Sequence, residues 1–287
     1  MSGRFQIAVN CFLSVLILWA TTVTAQDEMK KPQDSTFGNS MFLRGALGYS
    51  FGSSDDLNDI IQQISDAFSF WDSSNFEDFG GTLTFDGELG INVSRYVALS
   101  VSFTKYQTIE ATSRASIFDF NVVTLETFDF EYDGTDELSM WDFGGNLILR
   151  PQGGSGLVIG LFGGVGGSAY KTSWGFRDFS SPLITGDFSA RGEFDGTGFS
   201  GGAFLGYEYT FPSNMLIFAH AGYRIHKVDD PEGTWTVSDS FGIVESGSGT
   251  LDEFVTDVVG ATTNGVSLDY DAPYVRVGFG FQFPMDG

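Results

Sequence analysis

Residues 79–93 read FGGTLTFDGELGINV. Leu83, Phe85, Leu89, Ile91 and Val93 occupy alternate positions, with Thr82, Thr84, Asp86, Glu88 and Asn92 between them. Successive side chains of an extended chain point to opposite faces, so this alternation predicts a strand with one apolar and one polar face. The polar face carries two carboxylates, which cannot lie unpaired in hydrocarbon. The apolar face is too wide to leave in water. A closed barrel in a bilayer meets both demands, with apolar side chains toward lipid, polar ones inside, and every backbone group paired.

The same alternation recurs in eight segments, each about as long as the ~9–11 residues that a tilted strand needs to cross a bilayer. They begin with Met41–Phe51, Phe79–Val93 and Val97–Thr104, and continue with Leu138–Arg150 and Leu157–Tyr170. Phe199–Phe211, Met215–His226 and Tyr274–Phe283 complete the set. The face opposite the apolar one carries Arg44, Asp86, Glu88, Asp142, Arg150, Glu208, His220, Arg224, His226 and Arg276. Ser94–Arg95, 151–156 and 212–214 make tight connections, whereas 52–78, 107–137, 171–197 and 228–272 are long and acidic. Short and long alternate, as in an up-and-down barrel with short periplasmic turns and long outer loops. The expected fold class is therefore all-β, an eight-stranded antiparallel transmembrane barrel over 41–287. Ile117–Tyr132 and Trp235–Val244 could add strands, and are expected instead to extend existing ones above the membrane. Tyr49, Phe51 and Phe79 at the outer rim, and Tyr96, Tyr207, Tyr209, Phe211, Phe281 and Phe283 at the inner one, are expected as interfacial girdles.

The N-terminus has its own pattern. Arg4, the apolar run 7–20 and the small residues ending at Ala25 predict a secretory signal over 1–25, followed by a periplasmic segment 26–40. Cleavage there would remove Cys11, the chain's one cysteine, and with it any thiolate chemistry. The net charge of −23 argues against a nucleic-acid partner, since it offers little to neutralise phosphates.

With these strands and loops in place, the chain resembles the small bacterial outer-membrane β-barrel families, such as the eight-stranded membrane domain of outer membrane protein A and its loop-rich relatives. The last strand, YVRVGFGFQF over 274–283, looks like the aromatic-ended strand that the barrel assembly machinery recognises in them, although Pro284–Gly287 follow it. The resemblance implies a bacterial outer-membrane location. It also implies contact with outer-membrane lipid and lipopolysaccharide, and engagement of that machinery during biogenesis.

Two stretches break the strand pattern. In 55–71, Leu57, Ile60, Ile61, Ile64, Phe68 and Trp71 recur at helical spacing after Ser53 and Ser54, predicting a helix that packs on neighbouring loops, or else caps the barrel mouth or docks a partner. In 250–259, Thr250 and Glu253 form a capping-box pair ahead of Leu251, Phe254, Val255 and Val258, with Gly260 as the stop.

No cofactor, metal or catalytic residue is expected. Asp133–Glu137 and Asp229–Asp230 lack the spacing of a calcium loop and read as solvated turns. Neither His220 nor His226 is followed two residues later by a serine, so the His-x-Ser arrangement of lipid A deacylase barrels is absent. Catalysis would need a His, a Ser and a carboxylate converging at the outer rim. The expected role is structural or surface-interacting. A narrow channel for water, ions or small apolar solutes is the alternative, and a lipid-modifying enzyme ranks third. Arg44, Glu88 and Arg276 are expected to converge, with Asp86, Asp142 and Arg224 in a second layer and Glu208 and His220 nearer the periplasmic end. Together they would form a paired network that fills the lumen.

Overall fold

The computed structural model describes residues 39–69, 72–121, 126–178, 187–239, 242, 244–261, 263 and 265–285. All of them belong to the unit Thr36–Gly287. The predicted signal segment and Trp71 lie outside the described residues.

Eight strands close into a ring. In chain order the strands are β1 (Ser40–Ser50), β2 (Ser73–Phe76), β3 (Thr82–Asn92), β4 (Val97–Tyr106), β5 (Ile109–Asn121), β6 (Glu126–Leu149), β7 (Gly156–Asp178), β8 (Phe188–Thr210), β9 (Met215–Lys227), β10 (Glu232–Asp239), β11 (Val244–Thr250) and β12 (Ala272–Pro284). The ring runs β1–β3–β4–β6–β7–β8–β9–β12 and back to β1, antiparallel throughout. Closure leaves the ring without an edge, which is the condition for placing a sheet in lipid.

The faces follow the alternation. Leu47, Phe85, Val101, Phe143, Leu161, Leu205, Val277 and Phe279 are exposed on the outside, while Arg44, Glu88, Asn146, Glu208, His220 and Arg276 are buried within. A belt of exposed aliphatic and aromatic side chains around a charged, buried interior is the pattern of a membrane-spanning barrel. The belt ends near Phe103, Phe143, Val165 and Phe199, and the outward positions above it become Lys105, Glu137, Lys171 and Asp195.

Above that level the sheet continues. Lys105 pairs with Trp141 and Ile109 with Leu138, so β5 carries on the β4 ladder along β6 after a bulge of one extra residue. Lys227 pairs with Phe199 and Glu232 with Asp195, so β10 carries on β9 along β8 in the same way. β2 and β11 add short edges. Much of 107–137, 171–197 and 228–272 is thus sheet: strand was expected above the membrane only over 117–132 and 235–244, and it extends well beyond them.

The faces also invert at the boundary. Water replaces lipid outside, so the outward face turns polar, and the inward face carries Leu138, Met140, Tyr170 and Phe194. These side chains form an apolar core with two helices laid across the mouth. Helix α1 (Asp55–Ala67) contributes Leu57, Ile60 and Ile61. A second helix, α2 (Leu251–Phe254), passes into a π-turn over Val255–Val259 and contributes Leu251, Phe254 and Val255. Its capping box forms as expected: Glu253 N–H donates to Thr250 Oγ1 (3.2 Å) and Thr250 N–H to Glu253 Oε2 (3.1 Å). Gly260 ends it at φ 76°, a left-handed conformation that favours glycine. At α1, Ser54 is the N-cap residue by position, but its side chain makes no capping bond. Phe79, expected in a lipid-facing girdle, is buried in the mouth core instead. It lies before β3 begins at Thr82, and its backbone is held by α1: Phe79 N–H donates to Asn58 Oδ1 (2.7 Å) and Asn58 Nδ2 to the Phe79 carbonyl (3.2 Å).

Candidate functional site

The lumen holds four arginines and four carboxylates, all buried: Arg44, Arg150, Arg224 and Arg276 with Asp86, Glu88, Asp142 and Glu208. Strand register brings them together. Arg44 on β1 lies opposite Glu88 on β3, and Arg276 on β12 lies opposite His220 on β9.

The cluster nearer the turns is built on Arg44. Its guanidinium donates in a fork to Glu88, Nε to Oε2 and Nη2 to Oε1, both at 2.8 Å, and Nη1 donates to Glu208 across the barrel. This is the planar two-bond geometry that makes arginine the preferred partner for a carboxylate. Glu208 also accepts from Arg150 Nε at 3.0 Å, and Arg150 Nη1 donates to Asn92 Oδ1 at 2.8 Å. Ser100 donates to Glu88, and Asn146 Nδ2 to Ser100 and Ser102 at 3.0 and 3.1 Å.

Arg276 joins the two clusters. Its Nη1 lies 3.3 Å from Asp86 Oδ1 and its Nη2 3.9 Å from Glu88 Oε2. Arg276 therefore pairs first with Asp86, whereas the sequence places it with Arg44 and Glu88. Its Nε donates to His220 Nδ1 at 3.2 Å, which makes Nδ1 the acceptor and leaves the ring proton on Nε2, 3.5 Å from Glu208. Phe204 and Phe218 flank the His220 ring at 4.6 and 4.7 Å, and Arg276 and Arg44 also lie over these phenyl faces. Aromatic faces thus supply contact where carboxylates do not reach.

The cluster nearer the mouth is built on Asp142. Tyr106 donates to its Oδ2 at 2.6 Å, Arg224 Nη1 lies 3.3 Å from the same oxygen, and His226 Nδ1 lies 2.7 Å from Oδ1. Ser168 Oγ lies 2.7 Å from His226 Nε2. Gly166 makes room for this ring, since a Cβ there would fall 2.5 Å from His226 Cε1. Ser168, His226 and Asp142 therefore converge, in the order nucleophile, base and carboxylate that serine hydrolases use. They converge at the outer end of the lumen, below the mouth core. His226 is 0% exposed and Ser168 4%. Tyr106 and Tyr270 pack edge to face at 5.8 Å beside the ring, and Val228 closes over Gly196, the cross-strand partner of Ser168. A substrate would have to displace the mouth core to reach the hydroxyl.

The expected site residues Arg44, Asp86, Glu88, Asp142, Glu208, His220, Arg224 and Arg276 all lie in this lumen array. Arg150 belongs with them, as do Tyr106, Ser168 and His226. Tyr106 was legible as the next inward position after Ser100, Ser102 and Thr104. Ser168 carries no local signal, because its partner is 58 residues away. Asp133–Glu137 form no turn: they lie within β6, where Asp133 faces out to Arg114 at 3.4 Å and Asp136 is buried inside. Alternation sets Asp136 on the opposite face from Asp133 and Glu137, and those two stand four residues apart along the strand, about 13 Å at ~3.3 Å per residue, too far to share a cation. Among the described residues no group of three or more His, Cys, Asp or Glu side chains could hold a metal.

No family model and no curated protein matches the chain. Solved structures similar to it include the attachment invasion locus protein Ail of Yersinia pestis, at 11% identity and a TM-score of 0.35, covering 84% of this chain and 98% of Ail. A major outer membrane protein from Thermus thermophilus is similar at 14% identity and 0.33, covering 85% and 99%. The outer membrane protease OmpT of Escherichia coli is similar at 9% and 0.27, covering 89% and 99%. The ring of eight strand pairings, not these likenesses, defines the fold.

Above the membrane the charge balance changes. Segments 52–78, 107–137, 171–197 and 228–272 hold 29 acidic and four basic side chains, so the whole net charge of the chain resides there. Most of these acids face water. Asp136 does not: it is 9% exposed, and Tyr170 donates to its Oδ1 at 2.6 Å. Burial holds its carboxyl above the ordinary range. A raised folded value means that stability is fully present below the ordinary carboxylate range and is lost as pH rises through the folded value. Asp136→Asn should therefore raise stability of the mouth at pH 7.5 but not at about pH 4. Hydrogen exchange of amides in β6 and β7 above the belt, compared at the two pH values, checks this.

Proposed function

We propose that this chain is a non-enzymatic protein of the bacterial outer membrane, in which the barrel is a closed anchor and the acidic, helix-capped mouth carries a structural or surface-interaction role. The observation that carries the reading is the mutual pairing of four arginines with four carboxylates across the lumen, beneath an apolar core that fills the mouth. An eight-stranded ring encloses a space that side chains can fill. Here ion pairs occupy one layer and hydrophobic packing the other, which argues against a continuous wet path. Outer-membrane lipid and lipopolysaccharide would contact the belt, and the barrel assembly machinery would engage β12. Planar-bilayer recording of the refolded protein should give no stable unitary conductance above the lipid baseline. Reproducible channels in the wild type would replace this reading with that of a narrow pore.

The Ser168–His226–Asp142 geometry favours a second reading, a serine hydrolase held shut by its cap. Its burial places it second. Labelling of Ser168 by a fluorophosphonate probe in the folded protein would reverse the order.

A further inference from the structure

At the outermost end of the mouth, beyond the apolar core, an open cleft of about 360 Å³ lies between the helices and the sheet. One wall is aromatic: Tyr132 on β6, Trp174 on β7 and Phe188 on β8, with Trp174 centred 6.4 Å from Tyr132 and 5.5 Å from Phe188. The other wall is the end of α1, with Ile64 and Phe68, and the end of the π-turn at Val259. The volume is within the range of small-molecule sites, and the lining is mostly apolar.

Three electrostatic facts select the ligand. Aromatic faces attract cations through their quadrupoles. Both helical segments bring their C-terminal ends to the cleft, and neither has a basic side chain in its last turn. Free carbonyls at a helix C-terminus carry partial negative charge and favour a cation. The four outer segments together hold 29 acids against four bases, so the field over the mouth as a whole is negative, although Arg177 and Arg191 lie near Trp174. An apolar anion is repelled, and a neutral apolar solute gains nothing from these features.

We infer that this cleft binds a hydrophobic organic cation, an ammonium or quaternary ammonium head on an apolar body, with the head against Trp174; Tyr132, 7% exposed and packed on Phe68 at 4.9 Å, backs that ring. The inference deepens the surface-interaction reading and rests on it for access from outside. The site is separate from the lumen, so binding and conductance fail independently.

The test uses the refolded full chain in nanodiscs of zwitterionic lipid, with phenyltrimethylammonium as probe and tert-butylbenzene, its neutral isostere, as control. Ligand-observed NMR titration should give saturable binding of the cation, at least tenfold tighter than the control and weakened by added salt. Trp174→Ala should weaken it tenfold or more. Ile64→Lys, which places an ammonium in the cleft from the opposite wall, should do the same and keeps the test available if Trp174→Ala does not fold. Equal affinity for cation and isostere, no saturable cation binding, or cation binding indifferent to both variants overturns the inference. Any of these with a silent bilayer leaves the closed-anchor reading standing.

Discussion

Glu208→Ala should lower the unfolding free energy of the barrel by about 3–5 kcal/mol, the cost of removing one partner from a buried ion pair. Glu208 is 0% exposed and accepts from Arg44 on one side and Arg150 on the other. Its loss strips counter-charge from two buried guanidiniums at once. The exposed pair Lys171–Glu193 is the control. Its N–O distance of 2.9 Å is as short, yet Glu193→Ala should cost no more than ~1 kcal/mol, because solvent screens it. Equilibrium urea unfolding of both variants in lipid vesicles, followed by heat-modifiable gel mobility, makes the comparison. A Glu208→Ala variant as stable as wild type would mean that the lumen charges are hydrated one by one.

The second large effect belongs to the mouth. Leu57 is 2% exposed in the core shared by α1, α2 and the upper sheet. Truncating such a leucine to alanine costs about 2–5 kcal/mol, and Leu57→Asp adds an unpaired buried carboxylate. The cap should open while the ring below persists, since no ring strand depends on α1 for pairing. Protease cleavage within 55–69 on vesicle-inserted protein should rise at least tenfold, with the lipid-embedded strands still protected. Cleavage at the wild-type rate would show that the helix does not rest on this core. Loss of the whole barrel would show that cap and ring form one cooperative unit.

The strands were legible because lipid and lumen impose opposite chemistries on alternate residues. The stretch read as a strand over 79–93 carries that contrast, and the strand observed there runs over Thr82–Asn92. The upper sheet was less legible because the contrast reverses at the membrane surface. Within β6, Asp142 faces in and Phe143 out, but four residues further up Leu138 faces in and Glu137 out. A reading that follows apolar residues on one face stops where they change sides, and the remaining acids resemble a loop. Identities of the lumen charges came from alternation alone, while their pairing depended on register across the ring. Arg276 shows the limit: counting along strands set it beside Glu88, where its Nη2 does lie at 3.9 Å, but that count did not show His220 opposite it or the shorter contact to Asp86 at 3.3 Å. Ser168 and His226 meet across strands that are not neighbours in the ring, which no local spacing records.

The charges that fill the lumen are bonded to one another, and a double-mutant cycle on Arg44 and Glu88 tests this most directly. Arg44→Met, Glu88→Leu and the double variant are unfolded in urea under the same conditions. The fork between the two side chains, with both contacts at 2.8 Å, predicts that the double variant loses less stability than the sum of the singles, by at least ~1 kcal/mol. Additivity within about 0.3–0.5 kcal/mol would contradict it, and would describe a wet pore in which the two charges line the wall without touching.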